Sequence, residues 1–382
     1  MATYVPVKKE LLIWAYNRSI HGEKLNKKFK YLDQWLAGEK KPTLKQLEDF
    51  AAATATPLGY FFLTEPPIET LPIPHYRTLE DGEGEKASPD LIETLHIMQR
   101  RQDFMRDYYE QYVGTELDFV GSYRDANVSH LANTILELLD LQQDWARQHR
   151  TFHDALKFLI AKCEKNRIIV MQNGIVGVNT HRPLNVAEFR GFVLVDSMAP
   201  LIFINASDTK SAQIFTLIHE IAHILIGSSA VVEASPLNSQ SAEVEKLCNE
   251  AAAEMLCPTD LFRKQWQIHY PDGEVYETLS NIFKVSPIVI GRRAMDLNCI
   301  SKEEFFSFYN HYLDRLKDQK RRPSSGGDFY NTTISRLGNV FTNAVVYQTI
   351  TGNIQYTDAF RLTGLRNKTF GKLVQLVSER GV

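Results

Sequence analysis

Cysteine is scarce in this chain and shows no useful spacing. The four residues, Cys163, Cys248, Cys257 and Cys299, include no Cys-x-x-Cys pair. That excludes a disulfide framework and a cysteine-rich zinc module, and leaves reduced thiols as the simplest account. Long apolar runs are missing too, none approaching the roughly 18 residues that a bilayer span requires. The opening MATYVPVKKELLIWAY lacks the basic start, apolar centre and small-residue cleavage site of a signal peptide. The expectation is a soluble, cytoplasmic protein with no membrane partner. Nor is there an excess of charge of one sign. The 43 basic and 46 acidic residues leave a net charge of -3, so contact with nucleic acid would have to rest on a local patch. No internal repeat is present. What the chain does have is core-forming material: an apolar content of 44% over 382 residues, enough for two or three domains.

Residues 1–64 read as short helices. Leu11, Leu12, Trp14 and Ala15 share one helical face, and Gly38 stops LNKKFKYLDQWLAG. Thr43 with Gln46 forms a capping box, followed by Leu44, Leu47, Phe50 and Ala51 at helical period. Residues 65–90, with five prolines and a Gly/Glu run, read as an extended linker. Helices resume from 91, and the aromatic run FMRDYYEQY at helical spacing reads as core. From about 166, RIIVMQ, FRGFVLVD and PLIFINA are short β-branched runs that predict strands. SAQIFTLIHEIAHILIG predicts a helix ending at Gly227. A polar loop at 228–242 follows, then a helix through AEVEKLCNEAAAEML that stops at Pro258. Helices continue to 317, DQKRRPSSGGD (318–328) reads as a hinge, and 329–382 as a helical tail.

The chemistry concentrates in His219-Glu220-Ile221-Ala222-His223. Two histidines four residues apart lie on one helix face, one turn from each other, so both imidazoles reach one ion. Glu220 is rotated by about 100° from His219 and is placed to act on a water at that ion. The flanks are apolar on all sides, and two histidines and a glutamate in so buried a helix need partners. The alternative is a pair of hydrogen-bonded core histidines with a salt-bridged glutamate. A third ligand must come from elsewhere. The class with a further histidine six residues on is excluded, because Ser229 stands there and Ile226 replaces its glycine. The remaining source is a carboxylate on the next helix: Glu243, Glu245, Glu250 or Glu254. Periodicity does not separate Glu245 from Glu250.

The run FRGFVLVDSMAPLIFIN, then FTLIHEIAHILIG, then EKLCNEAAAEMLCP resembles the ImmA/IrrE-type metallopeptidases. The resemblance covers roughly 165–300 and implies a third-ligand glutamate four residues before an asparagine. That pattern falls on Glu245, with Cys248, Asn249 and Pro258 as its companions and Glu250 as runner-up. The implied fold is α+β, mostly helical, with a small mixed β-sheet packed on a zincin-like helix pair. Its domain would span 91–317, with a helical extension at 276–317. The implied activity is zinc-dependent endopeptidase cleavage of a protein partner such as a repressor or antitoxin-like regulator. Zn2+ would be held by His219, His223 and Glu245, with Glu220 as general base. PLIFINA is expected to pair with an extended substrate. His181, Arg190, Tyr276 and Arg292 are candidates for stabilising the oxyanion.

Two segments could contact DNA. PTLKQLEDFAAATATPLGYFFL resembles the last helices of a repressor-like helix-turn-helix, beside Lys24, Lys27, Lys28, Lys30, Lys40, Lys41 and Lys45. The unit at 1–64 is degenerate, because EKLNKKFKYLDQW has no glycine-containing turn. The second segment, 276–301, reads as helix-turn-helix or as a plain helical pack in which Arg292 and Arg293 meet acids. A non-catalytic DNA-binding regulator and an antitoxin-like interaction protein are therefore the rival functions.

Overall fold

The computed structural model describes residues 3–19, 22–69, 75–76, 87–228, 231–232, 239–270, 273–318 and 329–379. Two compact units divide the chain: Met1–Pro72 with Asp81–His96, and Ile73–Glu80 with Ile97–Val382.

The first unit holds α1 (Lys9–Arg18), α2 (Gly22–Lys28), α3 (Leu32–Ala37), α4 (Leu44–Ala53) and a 3-10 turn at Leu58–Phe62. Thr43 and Gln46 close the expected capping box, satisfying two N–H groups that the first turn of α4 would otherwise leave open. Gly38 ends α3 at φ 78°, where a side chain would be strained. Leu11, Leu12, Leu32, Trp35, Leu47, Phe50 and Phe61 make the core. Leu44 was expected among them but is 41% exposed. It opens α4, one turn before Leu47, where the helix has not yet turned into the core.

In the second unit, β1 (His75–Tyr76) pairs in parallel with β7 (Val231–Val232), two short strands inside segments expected as linker and loop. Of the other expected linker and loop residues, 65–69, 87–88 and 228 are in no helix or strand, 89–90 and 239–242 are helical instead, and the rest lie outside the described residues. Then come α5 (Pro89–Tyr112), of which the part from Ile97 belongs to this unit, α6 (Val128–Leu138), α7 (Phe152–Lys165), β2 (Ile169–Asn173), β3 (Ile175–Val176), β4 (Asn179–Pro183), β5 (Gly191–Leu194) and β6 (Leu201–Asn205). The helix α8 (Lys210–Ile226) is followed by α9 (Ser239–Leu256), α10 (Thr259–His269), α11 (Val275–Phe283), α12 (Pro287–Asp296) and α13 (Lys302–Asp318). Side chains of Asn127, Thr151, Thr209 and Ser286 cap α6, α7, α8 and α12 by accepting from backbone N–H groups.

The three predicted strands form one sheet in the order β2-β6-β5. It is mixed: β6 runs parallel to β2 and antiparallel to β5. A small mixed sheet in a mostly helical chain is the α+β class expected. One expectation is corrected. PLIFINA is the central strand β6, hydrogen-bonded on both sides, and offers no free edge to a substrate. A continuous apolar run marks a strand as buried but not its position in the sheet, and the strands with only one partner in this sheet are β2 and β5. The β3–β4 hairpin went unpredicted, because Asn179–Pro183 is polar and mostly exposed.

The last four helices are α14 (Phe329–Leu337), α15 (Asn339–Ile350), α16 (Tyr356–Thr363) and α17 (Asn367–Glu379). They pack against this same unit. Arg101 on α5 is 4% exposed, and its Nε donates to the Leu362 carbonyl at 2.9 Å. Its guanidinium lies over the Phe341 ring. Asn339 donates through backbone and side chain to Glu164. Of the aromatic run in α5, Met105 and Tyr109 are buried, while Phe104 and Tyr112 meet Phe341 and Tyr347 edge-on.

Candidate metal centre

The site begins with α8. Every residue from Thr216 to Leu225 is buried, as its unbroken apolar flanks required. The helix lies directly on the sheet because β5 starts with glycine. A Cβ at Gly191 would fall 2.5 Å from Thr216 Cγ2 and 2.7 Å from the Phe203 carbonyl oxygen. This close approach sets the depth of the site helix, and its sequence signal is a glycine inside a strand pattern. The far end of α8 is fixed as tightly. Gly227 caps it at φ 81°, and a Cβ there would stand 2.8 Å from Gly121 Cα. The amides of Gly121 and Tyr123 donate to the carbonyls of Ile224 and Leu225, each at 2.9 Å. Backbone from a preceding loop thus takes up carbonyls that the helix end leaves open.

On this helix the rings of His219 and His223 stand edge-to-face with centroids 4.8 Å apart, and their Nε2 atoms approach to 3.1 Å. The neighbouring helix α9 brings in Glu245, whose Oε2 lies 3.3 Å from His219 Nε2 and whose Oε1 lies 3.0 Å from His223 Nε2. One ligand atom from each of the three falls within 4.8 Å of the other two.

The other sequence candidates lie elsewhere. Glu243 is exposed. Glu250 is half exposed and faces Lys246. Glu254 is bound to Arg293 and Thr259. Of the proposed oxyanion donors, His181 is exposed on β4, Arg190 points to Asp208, Tyr276 stacks on Phe308, and Arg292 pairs with Asp296. None of the four makes a hydrogen bond, ion pair or ring contact with the His219–His223–Glu245 cluster among the described residues.

Electrostatics distinguishes the members of the cluster. Burial alone would raise Glu245, but hydrogen bonds and charge from both imidazoles outweigh it and hold the carboxyl at about 2. It is an anion at any ordinary pH. Burial lowers His223. Burial opposes protonation of His219 too, but Glu245, Glu220 and Asn249 together raise it. Glu220 is 4% exposed, and burial pushes it up to about 8, with His219 pulling down and Glu245 pushing up. A positive charge between the imidazoles would favour the Glu220 anion.

The donor set fits a divalent cation. Two imidazole nitrogens and one carboxylate converge, with no lysine or arginine recorded among them. The Nδ1 atoms of both histidines are buried without a hydrogen-bond partner among the described residues, and the contact given for Glu245 Oε1 is His223 Nε2. Orphaned polar atoms in a buried cluster are costly unless something absent from the chain satisfies part of it. Nitrogen and carboxylate oxygen with three protein ligands suit zinc and its neighbours.

Residues 175–295 match the family model described as the IrrE N-terminal-like domain. This segment is of the ImmA/IrrE type. The match runs from β3 to α12 and includes both site helices, so a metallopeptidase-type domain carries the cluster. Residues 337–375 match a second model, described as a domain of unknown function. No curated protein matches the chain. Among the described residues, no helix is long and apolar enough to cross a membrane.

Proposed function

We propose that this chain is a zinc-dependent endopeptidase of the regulatory kind, which cleaves a protein partner such as a transcriptional repressor or an antitoxin-like regulator. The observation that carries the reading is the convergence of His219, His223 and Glu245, with Glu220 buried on the next residue of the same helix. Zinc at those three ligands supplies a Lewis acid that acidifies water and polarises a peptide carbonyl. His219 and His223 bind as neutral imidazoles and Glu245 as the anion that its environment already enforces. Glu220 accepts the proton of the attacking water and delivers it to the leaving amine. Its burial against β5 at Gly191 keeps bulk water from competing for that proton. The substrate class comes from the family resemblance.

The test uses Glu220→Gln on the metal-loaded chain beside wild type, with candidate repressors as substrates and fragments read by mass spectrometry. The expected result is loss of cleavage with metal content unchanged. Wild-type cleavage that persists in the variant would remove Glu220 from the mechanism.

A second reading, DNA contact through 1–64, draws on one observation. Lys24, Lys27, Lys28, Lys30 and Lys41 are all exposed on the first unit, so the basic cluster is available to phosphates. The segment 276–301 has less to offer, since Arg292 pairs with Asp296 and Arg293 is buried against Glu254. Specific DNA binding that survives Glu220→Gln, with no cleavage by wild type, would favour this reading.

A further inference from the structure

The second unit has an open surface cleft of about 380 Å³ lined by Arg147, Thr278, Asn281, Ile282 and Lys284. It lies apart from the metal ligands, between the 3-10 turn Trp145–Gln148 and the end of α11. Its lining has two cations and a hydroxyl but no carboxylate. Neither Arg147 nor Lys284 is in an ion pair among the described residues.

Lys284 is the unusual member. It is 5% exposed, and the one hydrogen bond recorded for its ammonium is to the Asn281 carbonyl. Burial pushes its pKa down, and no acid opposes the shift. Its ammonium also lies 5.9 Å from the centre of the Phe152 ring, but no acid pairs with it among the described residues, although a lysine so buried is almost always paired. It also occupies the left-handed region at φ 57°, where glycine or asparagine would be the less strained residue. Close by, His149 Nε2 is buried without a partner among the described residues. Burial and the charge of Lys284 both lower that imidazole, with Asp154 opposing them.

We infer that this cleft binds a small phosphate-bearing anion, held by the Arg147 guanidinium, the Lys284 ammonium and the Thr278 hydroxyl. A guanidinium fork and an ammonium lining one cleft match phosphate oxygens. The volume suits a small molecule. A duplex backbone instead needs a basic surface that it can lie along. The site has a physical link to the metal centre. The Lys284 turn joins α11 to α12, and Arg293 on α12 holds Glu254 on α9, the helix that carries Glu245.

The experiment is calorimetry and thermal unfolding of the full chain with inorganic pyrophosphate, against sodium chloride at equal ionic strength. Lys284→Asn removes the cation and suits the backbone of the turn, so it tests binding without threatening the fold. Arg147→Gln changes an exposed residue. Glu245→Gln separates the cleft from phosphate bound at a metal. The expected result is saturable binding to wild type and Glu245→Gln, weakened about tenfold or more in Lys284→Asn and Arg147→Gln, as for the loss of a charge-assisted hydrogen bond. Equal binding by Lys284→Asn, an effect reproduced by chloride, or loss of binding in Glu245→Gln would each overturn the assignment. So would a short DNA duplex that displaces pyrophosphate and loses affinity in the same two cation variants, which would make the ligand a nucleic-acid backbone.

Discussion

Glu245 and Glu254 sit on one helix, nine positions apart, and both are substantially buried, yet their surroundings are opposites. Glu254 has everything a buried acid needs from the protein. Arg293 pairs with it, and the Thr259 amide and hydroxyl donate at 3.0 and 2.8 Å. Among the described residues, Glu245 is bound by the two imidazoles, whose own outer nitrogens have no hydrogen-bond partner there. Both carboxyls are held below their ordinary value against the opposing effect of burial, so a lowered pKa does not tell them apart. The balance of partners does. A structural acid is completed by the chain, and a ligand acid shares an unfinished cluster with other ligand atoms. Three substitutions along α9 test that distinction.

The largest effect belongs to Glu245→Gln. Loss of one of three ligands should cut metal affinity by more than the roughly 10–100-fold that outer-shell changes cost. Elemental analysis of dialysed protein reads this directly. Wild-type metal content in the variant would dismantle the site.

Glu254→Gln should do the reverse, keeping the metal and losing stability. Breaking a fully buried pair costs about 3–5 kcal/mol. Here the acid side chain is still 18% exposed, so about 2 kcal/mol at pH 7 is the expectation after solvent screening. The sign with pH follows from the lowered pKa of Glu254. Its contribution is present above the unfolded carboxyl value of about 4.3 and fades as pH falls through the folded one. Urea unfolding at pH 7 and again near pH 4 should therefore show the gap between wild type and variant narrowing in acid. A gap that is constant or widens would mean that the Arg293 pair is not its source.

The helices and the three sheet strands were legible because their signals are local. Thr43, Gly38 and Gly227 mark helix ends wherever the fold puts them, and RIIVMQ, FRGFVLVD and PLIFINA have the composition of buried strands. The order of those strands was not legible, because β6 takes its central place through pairings with residues up to about thirty positions away and no run of five residues encodes that. His219, Glu220 and His223 were visible as a unit because helical period alone brings them together. Glu245 needed the family pattern, since Glu245 and Glu250 differ only in which face of α9 meets α8. Glu254 shows why acids on such a helix are ambiguous. Its partner Arg293 lies three helices further on, invisible to spacing. Gly191 was readable in principle, as a glycine in a strand, but the Thr216 side chain that demands it comes from another element.

The smallest effect should come from Glu250→Gln, and this variant sharpens the comparison most. Glu250 is the acid that spacing could not separate from Glu245. Its side chain is 50% exposed, and its Lys246 partner stands at 3.9 Å one turn away. A pair of this kind in solvent contributes about 0–1 kcal/mol and is weakened further by salt. The variant should unfold within about 0.5 kcal/mol of wild type and retain its full metal content. Because Glu250 follows Glu245 by five positions, about 500° around the helix, a ligand role for Glu250 would require α9 to rotate by well over 90° against α8. Such a rotation would take Cys248 and Ala251 out of the core, where both are fully buried. Metal lost from Glu250→Gln but kept by Glu245→Gln would thus overturn the packing of α9 on α8 together with the ligand assignment.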